Sequence, residues 1–352
     1  MSDFEIRQAS THDRDRIIAL VSKMWGSDIT ARYDWQYAGN PHGKALTWLA
    51  IEPLTGDTVG CTSVFPRRVL VDGKERTGSI GGDCYIEPRA RRRGLATALH
   101  RASLAQMASC GVDFMYGPPN PNNLAALVKA GSHLAANFKR WVRPLTGRAV
   151  YRAAFGALPS KLEARIAGLP IRMLDRLTRA HSTDLTLEPV THFSAEFDAL
   201  FERAAPSHGI LCVRDSAYLN WRYLAAPSQR QIPFAVRSGA VVGLAVLEIM
   251  GEQASLVDLL TGSDEKLVEA TLQLILDHAS MLGCSSLEVN CMAECGLAPR
   301  LRRLGFIGRS ERVFQVAVAA QDPQADTLLS GAAWRFMMGD QDMDTVFSEP
   351  PE

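Results

Sequence analysis

At 352 residues the chain is long for one compact domain and comfortable for two, and its 47% hydrophobic and 22% charged residues are enough to bury a core. Its 38 Lys+Arg balance its 38 Asp+Glu, so a formal net charge of zero argues against a general nucleic-acid surface and makes any local charge cluster conspicuous. With no apolar run of about 18 residues, no charged-then-apolar leader and seven scattered cysteines, the chain is expected to be cytoplasmic, with reduced thiols and no membrane partner.

Residues 4–8 alternate like a first strand, and Thr11 opens a helix to about residue 24 with Ile17, Leu20 and Val21 on one side. Residues 25–43 read as a loop, containing Trp35, Tyr37 and Pro41. Strands at 47–52 and 58–65, a turn at Asp72-Gly73 and a strand at 78–87 form a meander. A basic turn, Arg89 to Arg93, leads into a helix from Gly94 to about Ser109. Residues 112–116 return as a strand parallel to 78–87, since a helical crossover joins parallel neighbours. After an irregular loop, Asn123 caps a short helix that Gly131 stops.

The turn carries the chemistry. A strand-turn-helix joint aims free backbone N–H groups and the positive end of a helix at one spot, and Arg91, Arg92 and Arg93 stand beside it with Gly94, which permits close backbone approach. That spot is suited to a phosphate or pyrophosphate. The competing reading of the run is a solvated charged face.

Arg91-x-x-Gly94-x-Ala96, with the strand before it and the helix after it, resembles the Q/R-x-x-G-x-G/A signature of the GCN5-related N-acetyltransferase (GNAT) superfamily, and the order β-α-βββ-α-β-α-β is similar to that family's. The resemblance implies an α+β fold, a mixed central sheet flanked by helices, and acetyl-CoA or another acyl-CoA as co-substrate. Its pyrophosphate would lie on Arg91, Arg92, Arg93, Gly94, Leu95, Ala96 and Thr97, and its pantetheine arm beside Tyr85, Ile86 and Asn120. The family often takes its general base from the strand before the turn, where Asp83 and Glu87 stand; the rival roles are a buried hydrogen-bond acceptor for Asp83 and an arginine partner for Glu87. Strand alternation would put Asp83, Tyr85 and Glu87 on one face unless a bulge intervenes. The tyrosine that often protonates the thiolate is replaced by Leu127, leaving Tyr116 or Tyr85 as stand-ins.

A helical connector is expected at 146–184, after a catalytic domain at 1–145. Residues 185–320 then repeat the programme: Trp221, Tyr223 and Pro227 echo Trp35, Tyr37 and Pro41; Val242-Gly243 echoes Val59-Gly60; Asp258 echoes Asp83. The second copy has Asp264-Glu265 where the first has arginines, so it is expected to be a degenerate domain without a cofactor. The remaining 321–352 read as a closing segment. Its Asp340, Asp342 and Asp344 alternate, but the sixth-position glycine and twelfth-position glutamate of a calcium loop are missing. Cys291 and Cys295 lack a second pair, so no metal is expected.

The sequence thus points to an acetyl-CoA-dependent N-acyltransferase acting on a small-molecule primary amine, an amino sugar being one candidate. The alternatives are a catalytically silent CoA-binding scaffold or sensor and an aminoacyl-tRNA-dependent transferase of tandem GNAT fold.

Overall fold

A computed structural model of the protein describes residues 4–178, 184–262 and 264–341. The first half runs β1 (Glu5–Gln8), α1 (Arg14–Trp25), α2 (Thr30–Arg32) continued by a π-helical turn over Tyr33–Ala38, β2 (Leu46–Ile51), β3 (Thr58–Val71), β4 (Lys74–Ile86), α3 (Leu95–Gln106), β5 (Phe114–Gly117), α4 (Pro121–Ala130) and β6 (His133–Pro144). Helices α5 (Gly147–Phe155), α6 (Lys161–Ala167) and α7 (Leu169–Thr178) follow. The second half runs β7 (Thr186–Pro189), α8 (Ala195–Ala204), β8 (Ile210–Cys212), α9 (Ser216–Leu219) with a π-helical turn over Asn220–Leu224, β9 (Gln231–Ser238), β10 (Ala240–Met250), β11 (Gln253–Thr261), α10 (Glu265–Met281), β12 (Ser286–Met292), α11 (Leu297–Arg303) and β13 (Ile307–Val318). Helix α12 (Ala325–Leu329) and strand β14 (Trp334–Arg335) end the described chain. Asp342 and Asp344 lie outside it, as does Ser263.

Two expectations change. Residues 25–43, read as a loop, contain α2 and its π turn; burial of Arg32, Trp35, Gln36 and Tyr37 holds them, a mixed polar and aromatic set whose spacing hides the helical period. Strand β3 runs six residues beyond the expected end and β4 starts four earlier, because the tight Asp72-Gly73 turn lets the hairpin pair down to Val71–Lys74.

One mixed sheet spans both halves in the order β1-β2-β3-β4-β5-β13-β6-β12-β11-β10-β9-β7. Under the duplication this order is a palindrome: β7, β9, β10, β11 and β12 mirror β1 to β5, and at the centre the two last strands have changed places. Strand β13 of the second half pairs antiparallel with β5, from Gln315 against Gly117 to Val318 against Phe114. Strand β6 of the first half pairs antiparallel with β12, from Ser286 against Pro144 to Met292 against Phe138. Phe114, Tyr116, Phe138, Trp141, Phe314, Trp334 and Phe336 form the apolar core over this junction.

A second brace crosses the halves at the repeated tryptophans. Trp35 and Trp221 stack with ring centroids 4.7 Å apart, and each Nε1–H donates to the other's carbonyl, at 2.9 and 3.0 Å. The shared W-x-Y motif is therefore structural. The seven cysteines are all free thiols, and no metal-ligating cluster occurs among the described residues.

Candidate active site

Strands β4 and β5 pair in parallel only from Gly78↔Phe114 to Ile80↔Tyr116. Beyond Ile80 they part, and a cavity of about 730 Å³ opens between them at the C-terminal ends of the two strands, where parallel sheets commonly receive ligands. One wall is the 80–86 stretch of β4, the opposite wall the end of β5 with Pro118, Pro119 and Asn120, and the mouth is the turn into α3. Small Gly81 and Gly82 keep the wall low; a Cβ on Gly81 would lie 3.0 Å from the Met115 sulfur.

Within β4 the ladder to β3 slips: Cys61 faces Tyr85 and Ser63 faces Gly82, so Asp83 and Cys84 both oppose Thr62. This β-bulge, with Asp83 at φ 47°, breaks the alternation expected for Asp83, Tyr85 and Glu87. Such a bulge interrupts the ladder beside the cavity.

At the mouth, Arg92 and Gly94 take left-handed conformations, φ 61° and 75°, and α3 begins without a side-chain cap. Leu95, Ala96 and Thr97 of the first turn line the cavity together with Arg91 and Arg92. The unpartnered N–H groups of a first helical turn are an anion-binding device, and Arg92 makes no ion pair among the described residues. Arg91 is steadied by donating to the Ile86 carbonyl at 2.9 Å. Arg93, expected at the pyrophosphate, instead lies over the Phe4 ring at 4.4 Å and is not part of the cavity wall. Arg89 is engaged by Glu52, Asp57 and Glu87.

The expected acid-base residues fare differently from the loop. Asp83 is buried, and its carboxylate accepts from Arg32 Nη1 at 2.7 Å, the Tyr37 hydroxyl at 2.6 Å and Trp25 Nε1 at 3.1 Å. It lines the cavity as the sole acidic residue to do so among the described residues, yet both of its oxygens already accept hydrogen bonds. Glu87 turns away from the cavity to Lys23 at 2.7 Å and Arg89 at 3.2 Å, and the Lys23 ammonium holds its carboxyl below the usual range. Tyr116 contributes to the wall, but its side chain is fully buried with its hydroxyl 3.1 Å from Cys212 Sγ, and burial pushes its pKa well above the ordinary tyrosine value. Burial raises the Cys84 thiol to about 11, which keeps it protonated at neutral pH. Tyr85 and Ile86 line the cavity as expected. Asn120 does too, and its Oδ1 also caps α4 by accepting from the Asn122 N–H at 2.9 Å. Leu127 is a buried apolar wall residue.

Several lining residues went unread in the sequence. His100 on α3 lines the cavity with its Nε2 3.0 Å from Asn123 Oδ1, and burial lowers its pKa, keeping the ring neutral. Gln315 of β13 and Gln341 come from the second half; both are at least nine-tenths buried, and each has an Oε1 with no hydrogen-bond partner. No spacing signal marks them, because only the strand exchange brings β13 beside β5. Gln341 and Ile80 also border a smaller hollow of about 30 Å³ that holds Arg67 and Tyr218.

The corresponding gap in the second half is filled. Met337 bridges to Cys291 of β12, Arg335 donates to the Leu259 carbonyl of β11 at 2.7 Å, and Asp340 joins Asp258 on Arg214, each 2.9 Å away. Helix α10 is capped by its own Asp264, whose Oδ1 accepts from Lys266 N–H at 2.9 Å, so an anion finds an occupied helix end.

The comparisons with known proteins agree with this geometry. Residues 5–122 match the family model of the acetyltransferase (GNAT) domain. No curated protein matches the chain in sequence. Among solved structures, a GCN5-related N-acetyltransferase from Anabaena variabilis is similar at 15% identity and TM-score 0.64, covering 90% of this chain and 72% of its own. A conserved Enterococcus faecalis protein of unknown function, described as a probable N-acyltransferase, is similar at 11% identity and TM-score 0.66, with coverages of 90% and 72%. N-myristoyltransferase from Saccharomyces cerevisiae with bound myristoyl-CoA is similar at 14% identity and TM-score 0.57, with coverages of 90% and 79%. Residues 5–122 thus carry the match to the acetyltransferase (GNAT) domain, and the chain as a whole shares its fold with these transferase structures.

Proposed function

We propose that the protein is an acyl-CoA-dependent N-acyltransferase that moves an acetyl group to a primary amine on a small molecule, with its one cofactor site in the first half. The observation that carries this reading is the cavity between the parted strands β4 and β5, which ends at the uncapped start of α3 beside Arg91 and Arg92. In this reading the N–H groups of residues 94–97 and the two arginines hold the pyrophosphate, and the pantetheine arm runs along Tyr85 and Ile86 towards Asn120. Arg93 supports the loop from behind through Phe4 rather than touching phosphate. The residues present fit the group: an anion is offered free donors, and the inner end is apolar at Met115 and Leu127.

The acceptor nitrogen attacks the thioester carbon, the new N–C bond forms as the C–S bond breaks, and the nitrogen loses a proton while the thiolate gains one. With both oxygens of Asp83 engaged by Arg32, Tyr37 and Trp25, we assign it to shaping the bulge and assign the proton transfers to water in the cavity. The orphaned amide oxygens of Gln315 and Gln341 are placed to accept N–H or O–H groups of the acceptor. The absence of a tyrosine at Leu127 favours one rival, a CoA-binding sensor, and turnover separates the two.

Calorimetric titration with acetyl-CoA, beside CoA and longer acyl-CoAs, tests the reading. About one site per chain is expected, with affinity lost in an Arg92→Glu/Gly94→Glu variant. The absence of binding by the parent protein, or equal binding by the variant, overturns it. Thiol release in the presence of amines then distinguishes an enzyme from a sensor.

A further inference from the structure

The connector helices α5 to α7 carry an apolar face that nothing in the described chain covers. Seven of the large apolar side chains that stand exposed among the described residues fall here, each more than half exposed: Phe155 and Leu158, Leu162 and Ile166 on α6, and Leu169, Met173 and Leu177 on α7. Within α6 and α7 they recur at i and i+4, so each helix presents one apolar stripe. Contiguous exposed apolar surface of this kind marks an interaction site.

The charge of the segment says which partner. Residues 147–178 hold six basic side chains, Arg148, Arg152, Lys161, Arg165, Arg172 and Arg176, against Glu163 and Asp175, in a chain whose net charge is zero. Both acids are already engaged, Asp175 by Arg143 and Glu163 by the Ser160 N–H and Tyr151 hydroxyl, each at 2.8 Å. None of the six cations is ion-paired among the described residues. They too recur at i and i+4, Lys161 and Arg165 next to Leu162 and Ile166, Arg172 and Arg176 next to Met173 and Leu177. On a helix that offset is about 100°, so a basic stripe flanks each apolar one.

We propose that α5 to α7 dock the protein on the surface of an anionic phospholipid bilayer, apolar stripes in the acyl boundary and basic stripes on the headgroups. A second copy is the poorer occupant, since it would bring two uncompensated basic faces together. No helix among the described residues is long and apolar enough to cross a membrane, so the contact lies on the surface. This goes beyond the sequence expectation of no membrane partner, which rested on the lack of a spanning segment. Leu174 packed against Gly305 and the Arg143–Asp175 ion pair fix α7 to the body.

Co-sedimentation of the full chain with vesicles of equal parts phosphatidylglycerol and phosphatidylcholine, beside phosphatidylcholine alone, tests the proposal. Partition onto the anionic vesicles is expected to be about tenfold or more higher, and to weaken with salt. Leu162→Glu/Ile166→Glu should abolish it, and Arg152→Gln/Arg165→Gln/Arg176→Gln should reduce it about a hundredfold. Both variants should keep the parent melting temperature and CoA titration, since every altered side chain is exposed. Failure of the parent to bind anionic vesicles, or undiminished binding by the glutamate variant, overturns the proposal. So does self-association without vesicles that the glutamate variant abolishes, which would assign the face to a second copy.

Discussion

Asp83 is the residue at which catalysis and architecture compete for one carboxylate. Its three donors, Arg32, Tyr37 and Trp25, occupy both oxygens in a buried setting. Asp258 has a similar arrangement in the half without the arginine turn, accepting from Tyr223 at 2.8 Å and Arg214 at 2.9 Å, and Tyr37 and Tyr223 are equivalent members of the repeated motif. A pair of acids bonded alike beside an open and a filled gap supports a structural role for Asp83. Asp83→Asn leaves the Arg32 guanidinium buried without its counter-charge, and about 3–5 kcal/mol of stability should be lost. Urea denaturation checks this. An unchanged midpoint with abolished turnover would return Asp83 to the role of general base.

Helix starts and strand ends distinguish the two halves. Gly94 leaves the first turn of α3 open, whereas Asp264 closes that of α10, a contrast legible in sequence because it is local and written in charge. The rest of the difference was not legible. Trp334 to Asp340 fill the gap between β11 and β12, and Phe336 packs at 5.0–5.9 Å between the rings of Phe314, Phe138 and Tyr116, contacts that no spacing in a short aromatic segment reveals. The bulge at Asp83 and the π turns were hidden similarly, since each departs from a regular period by a single residue. Phe336→Ala removes a fully buried ring, and chemical denaturation should show a loss of about 3–5 kcal/mol. The emptied second gap should still bind no acyl-CoA by calorimetry, because Asp264 continues to cap α10. A second binding event would mean that the tail alone, and not the acidic cap, silences that half.

The duplication was readable from repeated Trp, Tyr and Asp spacings; the exchange of β6 and β13 was not. A strand's hydrophobic pattern reports which of its faces is buried and is silent about which neighbour it pairs with. Here β6 and β13 each complete the other half's sheet. The consequence is thermodynamic. Without β13, strand β5 presents Phe114 to Gly117, all four buried in the whole chain, as an unpaired apolar edge, and Gln315 and Gln341 vanish from the cavity. Residues 1–145 alone should therefore not persist as a folded monomer. Because β6 can take the place of β13 beside β5 of another copy, they should dimerise by exchange or aggregate, as sedimentation equilibrium would record. The full chain should unfold in one calorimetric transition, with van't Hoff and calorimetric enthalpies equal. Two resolved transitions, or a monomeric folded fragment, would show that the halves are stable separately and that the shared sheet only tethers them.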